Sequence, residues 1–275
     1  MRGLRGRGYQ PFFIFGIVIL LVMNVRYFIA GPPAAIAFFI GIYDVLDNLG
    51  VSQSDGAAAL ARCPGNACTV WGDRYVTHPS WGVAFYDRFA NGPDLRTNLL
   101  YGHIFFNTVT FVLMHVQLVR PGTGATRSWH RRLGRLSFAS LTVGTVCAVW
   151  LAAEHGPVGE YGGTLSMLGF WFMSVCVYGC ALMGIRAVRA GDAGAHRTWM
   201  IRFAGSMWGA FWLFRVMLFV LGPLLRGQEA AALLICIWFS APLGILIAET
   251  YRTRSSKPLA PLPAARAVEG AVAQP

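Results

Sequence analysis

The fold is decided by His130-Arg131-Arg132-Leu133-Gly134-Arg135, a short basic stretch between two long apolar segments. A second stretch of the same kind, His196-Arg197-Thr198-Trp199-Met200-Ile201-Arg202, also separates two apolar segments. Each histidine follows by ten residues the arginine that closes the preceding apolar run, Arg120 for His130 and Arg186 for His196. The two units are sixty-six residues apart, a length that fits one helix-loop-helix-loop hairpin. The spacing therefore predicts a duplicated hairpin that brings a His-Arg pair twice to the same side of a membrane.

Composition points the same way. Hydrophobic residues make up 55% of the chain and charged residues 13%, against roughly 45–50% and about 25% in soluble domains. Too few polar side chains remain to cover a globule, so the chain must face lipid. The net charge of +11 does not indicate nucleic acid, because the basic residues form no stripe or single face. They fall in short clusters between apolar runs, as the positive-inside rule leads one to expect.

Six membrane spans are expected. The first, from Pro11 to about Ala30, follows Arg2, Arg5 and Arg7 and is longer than the roughly 7–15-residue apolar core of a signal peptide. The next four are Asn98–Val119, Gly134–Ala153, Thr164–Ile185 and Thr198–Gly222, and the last is Ala230–Ala248, with a kink expected at Pro242. Ala34–Val45 is apolar but falls short of the roughly 20 residues a spanning helix needs, and it is assigned as an interfacial or re-entrant piece. The domain boundaries are then 1–32 for the N-terminal arm and first span, and 33–97 for the interfacial piece and outer loop. Residues 98–222 form a four-helix core, 223–249 the sixth span and 250–275 a disordered tail. Cys63 and Cys68 lie in the outer loop, where a disulfide is expected; Cys147, Cys176, Cys180 and Cys236 are expected as thiols. Two cysteines alone make an incomplete metal site, and no metal is assigned.

With the N-terminus inside, sixteen of the 23 basic residues lie in the four cytosolic segments and nine of the 12 acids lie outside. That asymmetry sets the orientation. Both termini and both His-Arg loops are expected on the cytosolic side of a bacterial inner membrane.

Polar groups inside spans mark function or an internal pair. His103, Asn107, Thr110, Met114 and Gln117 recur at helical spacing, so they form one stripe that should face the bundle interior. His103 then lies about 7–8 Å inside the outer boundary at 1.5 Å per residue. Arg215, in the outer half of the fifth span, needs a partner among Glu154, Glu160, the His103 region or an anionic ligand. Gly205 and Gly209 form a GxxxG that allows close helix approach, read as an intramolecular contact. Each of these readings has a plain counterpart: headgroup-level histidines, a hydrogen-bonded core histidine, a structural ion pair.

The polar second span, the two His-Arg motifs at 130–135 and 196–202 and the in-span Arg215 together resemble the bacterial membrane proteins grouped as domain of unknown function 2306. The similarity covers about residues 98–222. The resemblance implies a fold more than an activity, since that family has none assigned. Its four-helix core with histidines near both faces is similar in outline to b-type cytochromes, although the fourth span here contains no histidine.

The expected fold is an all-α polytopic bundle of six spans around a duplicated four-helix core. Three function classes stay open. One is a redox protein with a haem b held by His130 and His196, served by a redox partner. Another is a transporter or binder of a small anionic ligand or lipid, and the third an accessory structural protein. Candidate cofactor-binding residues are His130, His196, His103, Arg135, Arg202 and Arg215, with His130 and His196 pointing at one another at the cytosolic face. No phosphate-loop, serine-protease-like or zinc-protease motif is present.

Overall fold

The computed structural model describes residues 14–22, 24–25, 28–29, 94–119, 124–155, 163–225 and 229–255. Every regular element among them is helical. They are α1 (residues 14–22), α2 (Asp94–Val119), α3 (Arg127–His155), α4 (Gly163–Arg189), α5 (Ala193–Trp208), α6 (Phe214–Leu224) and α7 (Glu229–Ser255). A 3-10 turn, Gly124–Thr126, leads into α3, and a π-turn, Gly209–Leu213, joins α5 to α6 in one continuous rod. Five helices are long and apolar enough to cross a membrane: Leu95–Val119, Arg127–Glu154, Gly163–Arg189, Ala193–Leu221 and Ala231–Arg254. The expected interfacial piece, the Cys63–Cys68 bridge and most of the tail fall outside the described residues. Cys147, Cys176, Cys180 and Cys236 are free thiols, as expected.

Both His-Arg motifs lie inside helices rather than in the loops that precede them. α3 begins seven residues before the expected Gly134, and α5 five before the expected Thr198. Local chemistry accounts for the second start. Gly191 takes φ +81°, a left-handed conformation that glycine adopts without a Cβ clash. The chain reverses there: Gly191 N–H donates to Val188 O at 3.2 Å and Asp192 N–H to Ala187 O at 3.0 Å. Asp192 then caps α5, its carboxylate accepting from Ala195 N–H at 2.8 Å. His196 N–H donates to the Asp192 carbonyl at 3.0 Å, which fixes the histidine in the first turn of the helix. α7 also runs further than expected, through Pro242 and on past Ala248. Arg252 and Arg254 in its last turn suit the negative end of the helix dipole.

Helices that cross lipid cannot rely on the hydrophobic effect to associate, because the tails are as apolar as leucine. Close backbone approach and interhelical hydrogen bonds replace it. The polar stripe of α2 serves that purpose against a row of small residues on α3. A Cβ at Gly144 would collide with Asn107, and one at Gly134 would lie 3.1 Å from Gln117 Oε1. Ser140 Oγ donates to Phe106 O at 2.8 Å, and Thr110 Oγ1 reaches Ser137 O at 3.3 Å. The stripe does face inward, but it closes on a neighbouring helix.

A second seam joins α5 to α7. A Cβ on Gly205 would meet the Gly244 carbonyl and Ala248, and one on Gly209 would meet the Ser240 carbonyl. The GxxxG is an intramolecular contact, as expected. α7 is held to α4 as well, where Trp238 Nε1 donates to Leu165 O at 3.2 Å. Trp171 Nε1 donates to Val149 O at 3.0 Å and so ties α4 to α3.

The described part of the first apolar run packs along α2 in the opposite direction. Phe28 meets Tyr101 and Phe105, with ring centroids 5.5 and 6.0 Å apart. Asn24 Nδ2 donates to Thr108 Oγ1 at 2.5 Å. Further down, a Cβ at Gly16 would meet the Trp208 ring. Falling numbers on one helix match rising numbers on the other, so the two run antiparallel.

The α5–α7 seam gives a direct test. Gly244→Leu should lower stability by about 1–3 kcal/mol, the usual cost of overpacking, because the obstructing atoms are backbone. Gly179→Leu should cost little, since nothing lies within 4 Å of a Cβ there. Thermal unfolding in detergent measures both, and equal midpoints would contradict the seam.

Candidate functional site

Histidines occupy three levels along the bundle, and each level has a different chemistry. At one end the fold brings together the two residues singled out by the sequence. His130, in the first turn of α3, and His196, in the first turn of α5, have ring centroids 6.5 Å apart and planes at 83°. His196 Nδ1 lies 2.8 Å from the carbonyl of Gly184. A carbonyl only accepts, so the proton is on Nδ1 and the Nε2 lone pair is left for other use. Gly184 makes this reach feasible, for a Cβ there would collide with Met200 of α5.

The arginines of the two motifs divide into two groups. Arg131, Arg132, Arg135 and Arg197 are exposed. Arg202, expected to face the histidines, turns instead to α7: its Nε donates to Glu249 Oε2 at 3.2 Å. Arg252 bonds the same carboxylate, and the Arg202 guanidinium lies 4.6 Å from the centre of the Trp199 ring. Glu249 was not singled out by the sequence. Its signal was available, as the acid that closes the last apolar run, but nothing in the spacing paired it with a residue 47 positions earlier.

The middle level was also missed. His115, 3% exposed, accepts from Trp208 Nε1 at 2.8 Å, and its Nδ1 lies 2.7 Å from Phe111 O. Indole N–H can only donate and a carbonyl can only accept, so both imidazole nitrogens are used and the tautomer is Nδ1–H. Phe111 packs on the ring at 4.4 Å. This is a core histidine, bonded within α2 through Nδ1 and to α5 through Nε2.

The third level holds His103, Asn107 and Arg215. Asn107 Nδ2 contacts His103 Nδ1 at 2.9 Å, and Gly144 O lies 3.4 Å from the same nitrogen. Arg215 bonds the Phe211 carbonyl through Nη1 and holds its guanidinium 5.9 Å from the Phe211 ring centre. Of the partners expected for Arg215, Glu154 pairs with Arg96 at 3.5 Å and Glu160 lies outside the described residues. The His103 end of α2 is the one whose side of the bundle Arg215 shares, since Phe111 and His115 of α2 meet Phe211 and Trp208. No cluster of three metal-ligating side chains occurs among the described residues.

Removing the indole N–H by Trp208→Phe leaves His115 Nε2 without this buried donor, and stability should fall by about 1–3 kcal/mol. Thermal unfolding compared with wild type measures it. A variant as stable as wild type would contradict a structural role for the pair.

The family described as a predicted membrane protein, DUF2306, matches residues 100–251, more than half of the chain. The match runs beyond the expected limit at 222 and takes in α7 with Glu249, in line with the packing of α7 onto α4 and α5. Neither the curated proteins nor the solved structures include a match. The long helices from α2 to the α5–α6 rod, together with the α7 helix packed onto them, are those of the DUF2306 membrane-protein family, to which this chain belongs.

Proposed function

We propose that this chain is a six-span protein of a bacterial inner membrane that binds one b-type haem between His130 and His196 at its cytosolic end. The observation that carries the reading is the 6.5 Å between the two ring centres. Two metal–nitrogen bonds of about 2.0 Å, each continued by about 1.1 Å to its ring centre, place imidazoles on opposite faces of one metal about 6 Å apart. His196 adds a second support. Its Nδ1–H is held by the Gly184 carbonyl, which orients the ring and directs Nε2 outward, the usual arrangement of a ligating histidine. Arg131, Arg135 and Arg197 are exposed at the same helix ends and suit the haem propionates, which arginine binds as paired hydrogen bonds. Arg202 is a poorer candidate, since Glu249 holds it. When bound, the haem would supply one-electron chemistry.

The topology rests on the antiparallel contact of the first run with α2. If the first helix leaves the cytosol and α2 returns to it, Ile29 and Leu95 lie on the same, outer side, in keeping with the interfacial assignment expected for the apolar piece between them. The N-terminus then shares a side with the His-Arg motifs, as the charge asymmetry requires. The repeat finds support in pairing: α2 packs chiefly on α3, and α4 on α5. The transporter reading loses support, because the α2 stripe is closed against α3. A simple anion site, with the histidines as donors to a phosphate, uses the same arginines and is the second reading.

An absorption spectrum separates the two. Protein expressed with ample haem precursor and purified in detergent should carry a Soret band, with a sharp visible band on reduction. His130→Ala and His196→Ala should each lose it, and His103→Ala should keep it. A folded wild-type protein that carries no haem under these conditions would end the redox reading and favour the anion site.

A further inference from the structure

We infer that the seam between α3 and α4, at the end of the bundle that carries the histidine pair, binds an anionic phospholipid whose head group bears two phosphates. Four arginines make the site: Arg131 and Arg135 of α3, and Arg186 and Arg189 of α4.

The placement follows from register. Trp171 Nε1 donates to Val149 O at 3.0 Å, Thr142 Oγ1 lies 3.3 Å from Tyr178 Oη, and Phe138 packs on Tyr178 at 5.3 Å. Residue numbers fall on α3 as they rise on α4, so the two helices run antiparallel. Arg131 and Arg135 come seven residues, about two turns, before Phe138 and Thr142, and so share their face of α3. Arg186 and Arg189 follow Tyr178 by about two and three turns. Continued in step, the pairing sets Arg135 level with Arg186 and Arg131 level with Arg189. Four basic residues thus fall on one short length of the seam.

Like charges brought together in this way call for a counter-anion, and the described acids at this end are committed elsewhere. Asp192 caps α5, and Glu249 is held by Arg202 and Arg252. All four arginines are exposed. The helix dipoles do not answer the charge either: about half a negative charge at the end of α4 stands beside about half a positive one at the start of α3. A guanidinium binds phosphate through paired, parallel N–H bonds, so four of them suit two phosphates.

The surrounding surface selects a lipid over a free anion. The arginines belong to the ends of the spanning helices Arg127–Glu154 and Gly163–Arg189, which places them at head-group level. Leu182 and Val175, at steps of seven from Arg189, are 40% and 67% exposed, and Leu136 beside Arg135 is 55% exposed. Steps of seven keep to one helix face, so apolar surface runs from the arginines toward the middle of the bundle, where acyl chains lie. Basic surfaces between spanning helices are the usual sites of two-phosphate lipids. The inference does not rest on haem at the histidine pair. Arg186 and Arg189 have no part in that reading, and the five N–H donors on each of Arg131 and Arg135 can serve a propionate and a lipid phosphate together.

Native mass spectrometry of the full chain in detergent, titrated with cardiolipin and separately with phosphatidylcholine, tests the site. Wild type should retain one cardiolipin saturably and phosphatidylcholine no more than background, and excess glycerol phosphate should not displace the cardiolipin. Arg186→Gln with Arg189→Gln should weaken cardiolipin binding by about tenfold or more. Arg186→Lys with Arg189→Lys keeps the charge, loses the paired geometry and should weaken binding by about threefold. Arg132→Gln with Arg254→Gln removes the same charge from exposed positions off the seam and should leave binding as in wild type. Wild type with no preference for cardiolipin, displacement by glycerol phosphate, a glutamine pair on α4 that binds as wild type does, or a control pair that loses as much would each overturn the site.

Discussion

The structure depends on one constraint: inside hydrocarbon no water is available, so each polar group must find its partner within the protein. Residues that would be ordinary on a soluble helix become the joints between spans. Thr110 and Ser140 fasten α2 to α3 in this way, and Gly144 and Gly134 let Asn107 and Gln117 come close to the facing helix. The α5–α7 seam uses backbone against backbone, with glycines on both sides. Both are the same solution to the absence of a hydrophobic drive between helices.

The same constraint separates the histidines by role. His115 uses both ring nitrogens within the bundle and has nothing left to offer. His196 uses one, on the Gly184 carbonyl, and keeps the other. His103 shares one nitrogen with Asn107. Function is therefore sought at the end of the bundle where His196 keeps a nitrogen, and structure in the middle, where His115 uses both. Glu249 follows a related logic. A carboxylate shared by Arg202 and Arg252 settles α7 against the helix that carries His196, and it withdraws Arg202 from the histidine pair.

Much of the architecture could be read from the sequence, because it is written in local terms. Apolar runs longer than a bilayer is thick, broken by arginine clusters, specify helices and their polarity without any tertiary knowledge. The meeting of His130 and His196 could be read as well, since a repeat of sixty-six residues carries its own geometry. Three things could not. Helix starts were set too late: Arg197 looks like a loop residue until the Gly191 turn and the Asp192 cap are known, and Arg131 and Arg132 until the turn Gly124–Thr126 is. The α2 stripe could have lined a cavity or a seam, and only the small residues opposite it on α3 decide that. The π-turn at Gly209–Leu213 shifts the register ahead of Arg215, so a regular 3.6-residue period points that side chain in the wrong direction.

The proposal to be tested is that His130 and His196 would hold one haem between them. The relative orientation of the rings provides the most direct measurement. Their planes stand at 83°, and near-perpendicular imidazoles leave two of the ferric d orbitals almost degenerate. Low-temperature electron paramagnetic resonance of the oxidised, haem-containing protein should then show a single, highly anisotropic low-spin signal. A rhombic low-spin spectrum of parallel imidazoles, or a high-spin signal, would contradict ligation by His130 and His196 as the structure places them.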